Sequence, residues 1–189
     1  MQELSSQPGE TVTMAAPKDP EVQLAGFLAK FTPEVAAQAE AVLNLMRRRY
    51  PLANELVYDN FNALAIGFGP TERASEVVFS VAVFPRWVNF FFYYGKGLPD
   101  PEHRLQGSGN QARHIRIDSL DVFKDPAVRA LMDEAVARAA VPFDPRNKHK
   151  LIIKSISAKQ RPRRPGGSTG PGAKKKVDPA KKAPRRAAR

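Results

Sequence analysis

Cysteine is absent from this sequence. Its absence excludes disulfides, thiolate zinc sites and cysteine nucleophiles. Histidine is scarce: His103, His114 and His149 are scattered, with none of the paired spacings that hold a metal, so no metal and no cofactor are expected. No run approaches the roughly 18 continuous apolar residues that a membrane helix needs. The opening "MQELSSQPGETVTM" has neither the basic nor the apolar region of a signal peptide. The expectation is a soluble, cytoplasmic protein with no membrane partner.

What is abundant is positive charge, and it is unevenly placed. The formal net charge is +11. From Ser155 to Arg189 there are 12 Lys and Arg against one acid, Asp178, while residues 1–154 hold 18 bases and 18 acids. The sequence therefore reads as a neutral body with a basic arm. With 42% apolar residues the body is able to build a core.

Residues 1–18 are polar and without period and read as a disordered leader. "DPEVQLAGFLAKF" has helical spacing behind Asp19, and "TPEVAAQAEAVLNLMRRRYP" predicts a helix over 33–49. Thr32 supplies the cap, Pro33 the first turn, three arginines the C-terminal end, and Pro51 the stop. The period then changes. "ALAIGF" (63–68), "VVFSVAVF" (77–84) and "VNFFFYYG" (88–95) read as three strands of an antiparallel meander, with "RHIRI" (113–117) a fourth. A helix over 125–139 and a short edge strand over 150–157 follow. The expected fold is α+β, an antiparallel sheet of four to five strands packed with helices over residues 19–157. Residues 158–189, rich in Pro, Gly, Lys, Arg and Ala, read as a disordered tail.

"LQGSGNQARHIRI" is the stretch closest to a catalytic signature. A phosphate loop would need Lys and Ser/Thr after its glycines and a helix behind them. Asn110 and Gln111 stand there instead, and a strand follows. What remains is a glycine turn feeding a strand whose Ile115 and Ile117 face the core and whose His114 and Arg116 face away. Arg113 shares the isoleucine side but starts the strand, where its head can reach solvent. The functional alternative is an anion-friendly recess made by Gly107, Gly109, Arg113, His114 and Arg116.

"NELVYDNFNALAIGF", "NFFFYYGKGLPDPEHRLQGSGNQARHIRI" and the Ala-rich helix after them resemble the YdhG-like family, a domain of unknown function, over roughly residues 22–140. The resemblance implies a compact α+β domain with an antiparallel sheet. Some members are likened to frataxin and proposed as iron chaperones. That role needs a band of carboxylates on the first helix, whereas the matching helix here has only Glu34 and Glu40 and ends in Arg47, Arg48 and Arg49. Frataxin-like metal handling stands as an alternative.

Two further constellations matter. Glu55, Tyr58 and Asp59 share one short element, and Glu55 with His114 would make an acid/base pair in an uncharacterised enzyme. The simpler reading is that Glu55 anchors a turn or pairs with an arginine, and the body is non-catalytic. "NFFFYY" is apolar on both strand faces, with Phe90, Phe92 and Tyr94 on one and Phe91 and Tyr93 on the other. Either helices and loops cover both, or one face is a homodimer or ligand surface.

The arm is the strongest functional signal. Arg161, Arg163, Arg164, Lys174, Lys175, Lys176, Lys181, Lys182, Arg185 and Arg186 are spaced by Ala, Pro and Gly, the pattern of a sequence-independent nucleic-acid or polyanion binder. No aromatics are interleaved, so phosphates rather than bases are the expected target.

Overall fold

The computed structural model describes residues 19–166, and its helices begin where the sequence places their caps. α1 spans Pro20–Leu28 and α2 spans Pro33–Arg49. The Asp19 carboxylate accepts from the Glu21 amide at 2.8 Å, and the Thr32 hydroxyl from the Val35 amide at 3.4 Å. Proline follows both caps, which costs no hydrogen bond at a first helical position. α3, Pro126–Ala137, repeats the pattern behind Asp125 and is entered through a 3₁₀ turn at Leu120–Lys124.

Six strands follow the helical pair: β1 (Asn54–Asp59), β2 (Leu64–Gly69), β3 (Phe79–Phe84), β4 (Trp87–Phe92), β5 (Arg113–Ile117) and β6 (Leu151–Ile156). Their order is β5-β4-β3-β2-β1-β6. Strands β1 to β5 form an antiparallel meander, and β6 lies parallel to β1. The α+β class holds, but the antiparallel sheet of four to five strands is corrected to a mixed sheet of six. A parallel neighbour needs a long return connection, and residues 118–150, with α3, provide it. The additional strand is β1. Its "NELVYD" breaks apolar alternation with Glu55 and Asp59, yet both carboxylates are fully buried and ion-paired.

The register separates two faces. On one, Glu55, Phe68, Phe79, Phe92 and Arg113 form a row across β1 to β5, and Val57, Ile66, Val81, Phe90 and Ile115 form the next. This face packs under all three helices. Phe79, Phe90, Phe92 and Phe123 meet with ring centroids 5.1–5.8 Å apart at the centre of the core. Such pairs add about 0.5–1.5 kcal/mol each beyond simple burial.

The expected strand over 88–95 is shorter than its aromatic run. It ends at Phe92, and Tyr94, expected on the Phe90–Phe92 side, is 53% exposed with its hydroxyl donating to the Ser75 carbonyl. Gly95 permits this turn, because a Cβ there would lie 2.7 Å from the Cβ of Arg113. Any larger residue would push the β4 end away from β5.

The described chain does not leave the body at residue 158. The Ser157 amide donates to the Asp59 carbonyl and the Arg161 amide to the Phe61 carbonyl, so residues 157–161 run on beside the end of β1. Further along, Arg164 donates to the carbonyls of Phe31 and Ala29, so the described residues after 157 stay against the body. Residues 1–18 and 167–189, which include the expected leader and most of the expected tail, lie outside the described residues.

Candidate functional site

The second sheet face is covered in part by the segment after β2, where Glu76 and Val77, at the end of the short 3₁₀ helix Ala74–Glu76, lie against Gly69 and Gly67. Two rows cross it. Leu56, Gly67, Ser80, Phe91 and His114 form one, and Tyr58, Ala65, Ala82, Asn89 and Arg116 form the other. Small side chains fill the middle, and larger polar or aromatic ones stand at either side. His114 rests on Phe91 with ring centroids 5.0 Å apart, and Gly107 lies beside its imidazole because Gln106 pairs back along β5. Of the residues proposed for a recess, Gly107, His114, Arg116 and Tyr58 share this face.

The others do not join them. Arg113 turns its guanidinium onto its own loop, donating to the carbonyls of Gly109 (2.6 Å) and Ala112 (2.8 Å). It clamps the glycine turn. Burial lowers the His114 pKa below the ordinary imidazole value, so the ring is neutral and adds no charge to a recess. Arg116 leans over the Trp87 ring at 5.3 Å and pairs with Asp118. Burial, with Tyr93 close by, raises the Tyr58 pKa, and its phenol stays protonated.

The Glu55–His114 pair is excluded by topology. Glu55 is in the row that ends at Arg113, hence on the opposite face from His114. The two strands are also four steps apart, or roughly 19 Å at about 4.8 Å per step. Glu55 instead accepts from Arg47 twice, at 2.6 and 2.9 Å, while His149 Nε2 lies 3.5 Å away. The His149 Nδ1 atom is 2.8 Å from the Ala53 carbonyl, which as an acceptor requires the proton on that nitrogen. Glu55 thus ties α2 and the residues leading into β6 to β1. Among the described residues no three metal-ligating side chains gather closely enough to hold a metal ion.

His114 yields a pH test. The unfolded chain takes up this proton first as pH falls, so the contribution of His114 is present above about 6.5 and lost as pH drops through its depressed pKa. His114→Gln is expected to reduce the stability lost between pH 7 and pH 5, followed by urea unfolding. An unchanged profile would mean that the ring titrates as if exposed.

The feature that sequence reasoning missed is the root of the arm. Asp59, buried at the end of β1, accepts from Lys30 Nζ at 2.7 Å, Gln160 Nε2 at 2.6 Å and Arg163 Nη2 at 2.8 Å. Arg163 is itself 5% exposed, packs over the Phe31 ring and also donates to the Asn60 carbonyl. Arg164 donates to the carbonyls of Phe31 and Ala29, beside the C-terminus of α1, where a cation is favoured. Arg161 donates to Asn62. Arg163 and Arg164, expected to serve phosphates, instead hold the chain to the body. Arg163 is the correction of consequence, because a cation buried against a carboxylate is not offered to a polyanion. In sequence, Asp59, one of two carboxylates in β1, was the one signal for it.

Lys174, Lys175, Lys176, Lys181, Lys182, Arg185 and Arg186 lie outside the described residues. No described helix is long and apolar enough to cross a membrane. No protein-family model matches the chain, and no match was found among curated proteins or solved structures.

Proposed function

We propose that this chain is a non-catalytic YdhG-like α+β body that presents a basic arm to nucleic acid or another polyanion, without sequence preference. The observation that carries the reading is where the unmatched charge begins. The arm is fastened at Asp59 by Arg163, and eight Lys and Arg then follow Gly166 against a single acid, Asp178. Residues 19–166 hold 21 bases and 16 acids, so the body with its root is mildly basic rather than neutral. Each cation laid on a phosphate releases counterions, which gives affinity without base readout.

Replacing Lys174, Lys175, Lys176, Lys181, Lys182, Arg185 and Arg186 together by Gln is expected to abolish binding to labelled DNA in anisotropy titrations. The thermal unfolding midpoint should not move. Undiminished binding would transfer the function to the body. One observation favours a second reading, a small-ligand domain: Asn89 Oδ1 and the Tyr58 hydroxyl, both on this second face, are buried without a hydrogen-bond partner. Buried polar atoms of this kind cost free energy unless something satisfies them.

A further inference from the structure

A groove of about 760 Å³ lies where the arm's root passes the β3–β4 turn. Its walls include Phe84, Arg86 and Trp87 from the turn, Asn62 from the β1–β2 turn, and Arg161 and Arg164 from the root. Three of these residues are cations, and no carboxylate lines the groove. Arg86 is exposed and has no partner among the described residues, so its charge is uncompensated. Arg161 spends one nitrogen on Asn62 at 3.3 Å, whereas Arg164 is fixed by the Ala29 and Phe31 carbonyls just after α1. The volume is in the range of sites that enclose small organic groups.

The aromatic part of the wall is ordered in layers. Phe84 and Trp87 are cross-strand partners whose rings stack at 5.4 Å, and Arg116 lies over the indole at 5.3 Å from the next strand. Because β4 stands between β3 and β5, Phe84 and Arg116 flank opposite sides of the indole. The aromatic surface offered to the groove is therefore that of Phe84, backed by Trp87. A ring face beside the uncompensated Arg86, in a groove with no carboxylate, suits a planar base carrying a phosphate. Stacking on aromatics needs bases that are not already stacked in a duplex.

We infer that this groove seats a base and its phosphates from single-stranded nucleic acid. This rests on the polyanion reading and narrows it. An arm acting alone favours the higher charge density of a duplex. The groove adds a contact that only single strands can make.

The test uses the full chain with a labelled 15-nucleotide oligo(dT), a duplex of 15 base pairs, and poly-glutamate, all at one salt concentration. Trp87 is the sole tryptophan, so its emission reports on the groove directly. Oligo(dT) is expected to bind more tightly than the duplex and to change Trp87 emission. Phe84→Ala should weaken oligo(dT) binding roughly tenfold, as loss of one stacked base does, and leave duplex binding nearly unchanged. Arg86→Ala, on an exposed and unpartnered side chain, should weaken oligo(dT) binding with no effect on unfolding, and guards against a misfolded Phe84 variant. Equal affinity for single strand and duplex with unchanged Trp87 emission overturns the groove and leaves the arm intact. Poly-glutamate binding as tightly as oligo(dT) overturns base stacking. Failure of every polyanion to bind overturns both readings.

Discussion

Asp59→Ala is expected to destabilise the protein by about 3–5 kcal/mol, the range seen when one partner of a buried ion pair is removed. The side chains of Asp59 and Arg163 are 1% and 3% exposed, and Nε and Nη1 of Arg163 already lack partners. Without the carboxylate, the guanidinium keeps only the Asn60 carbonyl and the Phe31 ring. It must either remain buried and unpaired or pull the root off the body. Lys30, with 39% of its side chain exposed, returns to water more cheaply. Asp59→Asn keeps the shape but turns an amide donor toward donors, and should also destabilise. Replacing Asp59 and Arg163 together by apolar residues of similar size should recover much of the loss, because neither charge is then stranded. Urea unfolding of the three variants tests this. A loss below about 1 kcal/mol for Asp59→Ala, the size of an ordinary surface pair, would show that the root does not depend on this pair.

The helices were legible because their signals are local. Thr32-Pro33 and Asp125-Pro126 name cap and first turn, and the apolar stripes do the rest. β2, β3, β4 and β5 were legible as well, since aromatic and β-branched runs between Gly and Pro have few alternatives. What was hidden depended on partners far away in sequence. β1 carries two carboxylates, and their burial is made tolerable by Arg47 for Glu55 and by Lys30, Gln160 and Arg163, 29 to 104 residues away, for Asp59. The parallel pairing of β6 is likewise a nonlocal fact that no turn residue announces. In the candidate site, the parity of "RHIRI" placed His114 and Arg116 correctly on one face. It could not show that Glu55 lies on the other, because that follows from the register of four strand pairs. Composition marked the arm as basic, but composition cannot distinguish an arginine that meets a phosphate from one that meets Asp59.

The same distinction sets the expected salt dependence. With Arg163 and Arg164 engaged by the body, the contacts available to a phosphate backbone come chiefly from the eight bases after Gly166. About four to six simultaneous contacts would lower duplex affinity roughly 10²–10³-fold between 50 and 200 mM salt. All 12 bases from Ser155 onward acting freely would give a steeper fall. A slope corresponding to all 12 would mean that the root opens on binding, and near-independence of salt would remove the electrostatic basis altogether.

The measurement that bears most directly on the arm as the polyanion-binding element compares the full chain with residues 1–166, titrated against one labelled duplex at 50 and 200 mM salt. The shorter chain keeps Gln160, Arg163 and Arg164, and so retains every described contact at the root. Equal unfolding curves are expected for the two proteins, with strong salt-dependent binding by the full chain and little or no binding by the shorter one. Equal binding by both proteins would contradict this expectation and place the polyanion site on the body.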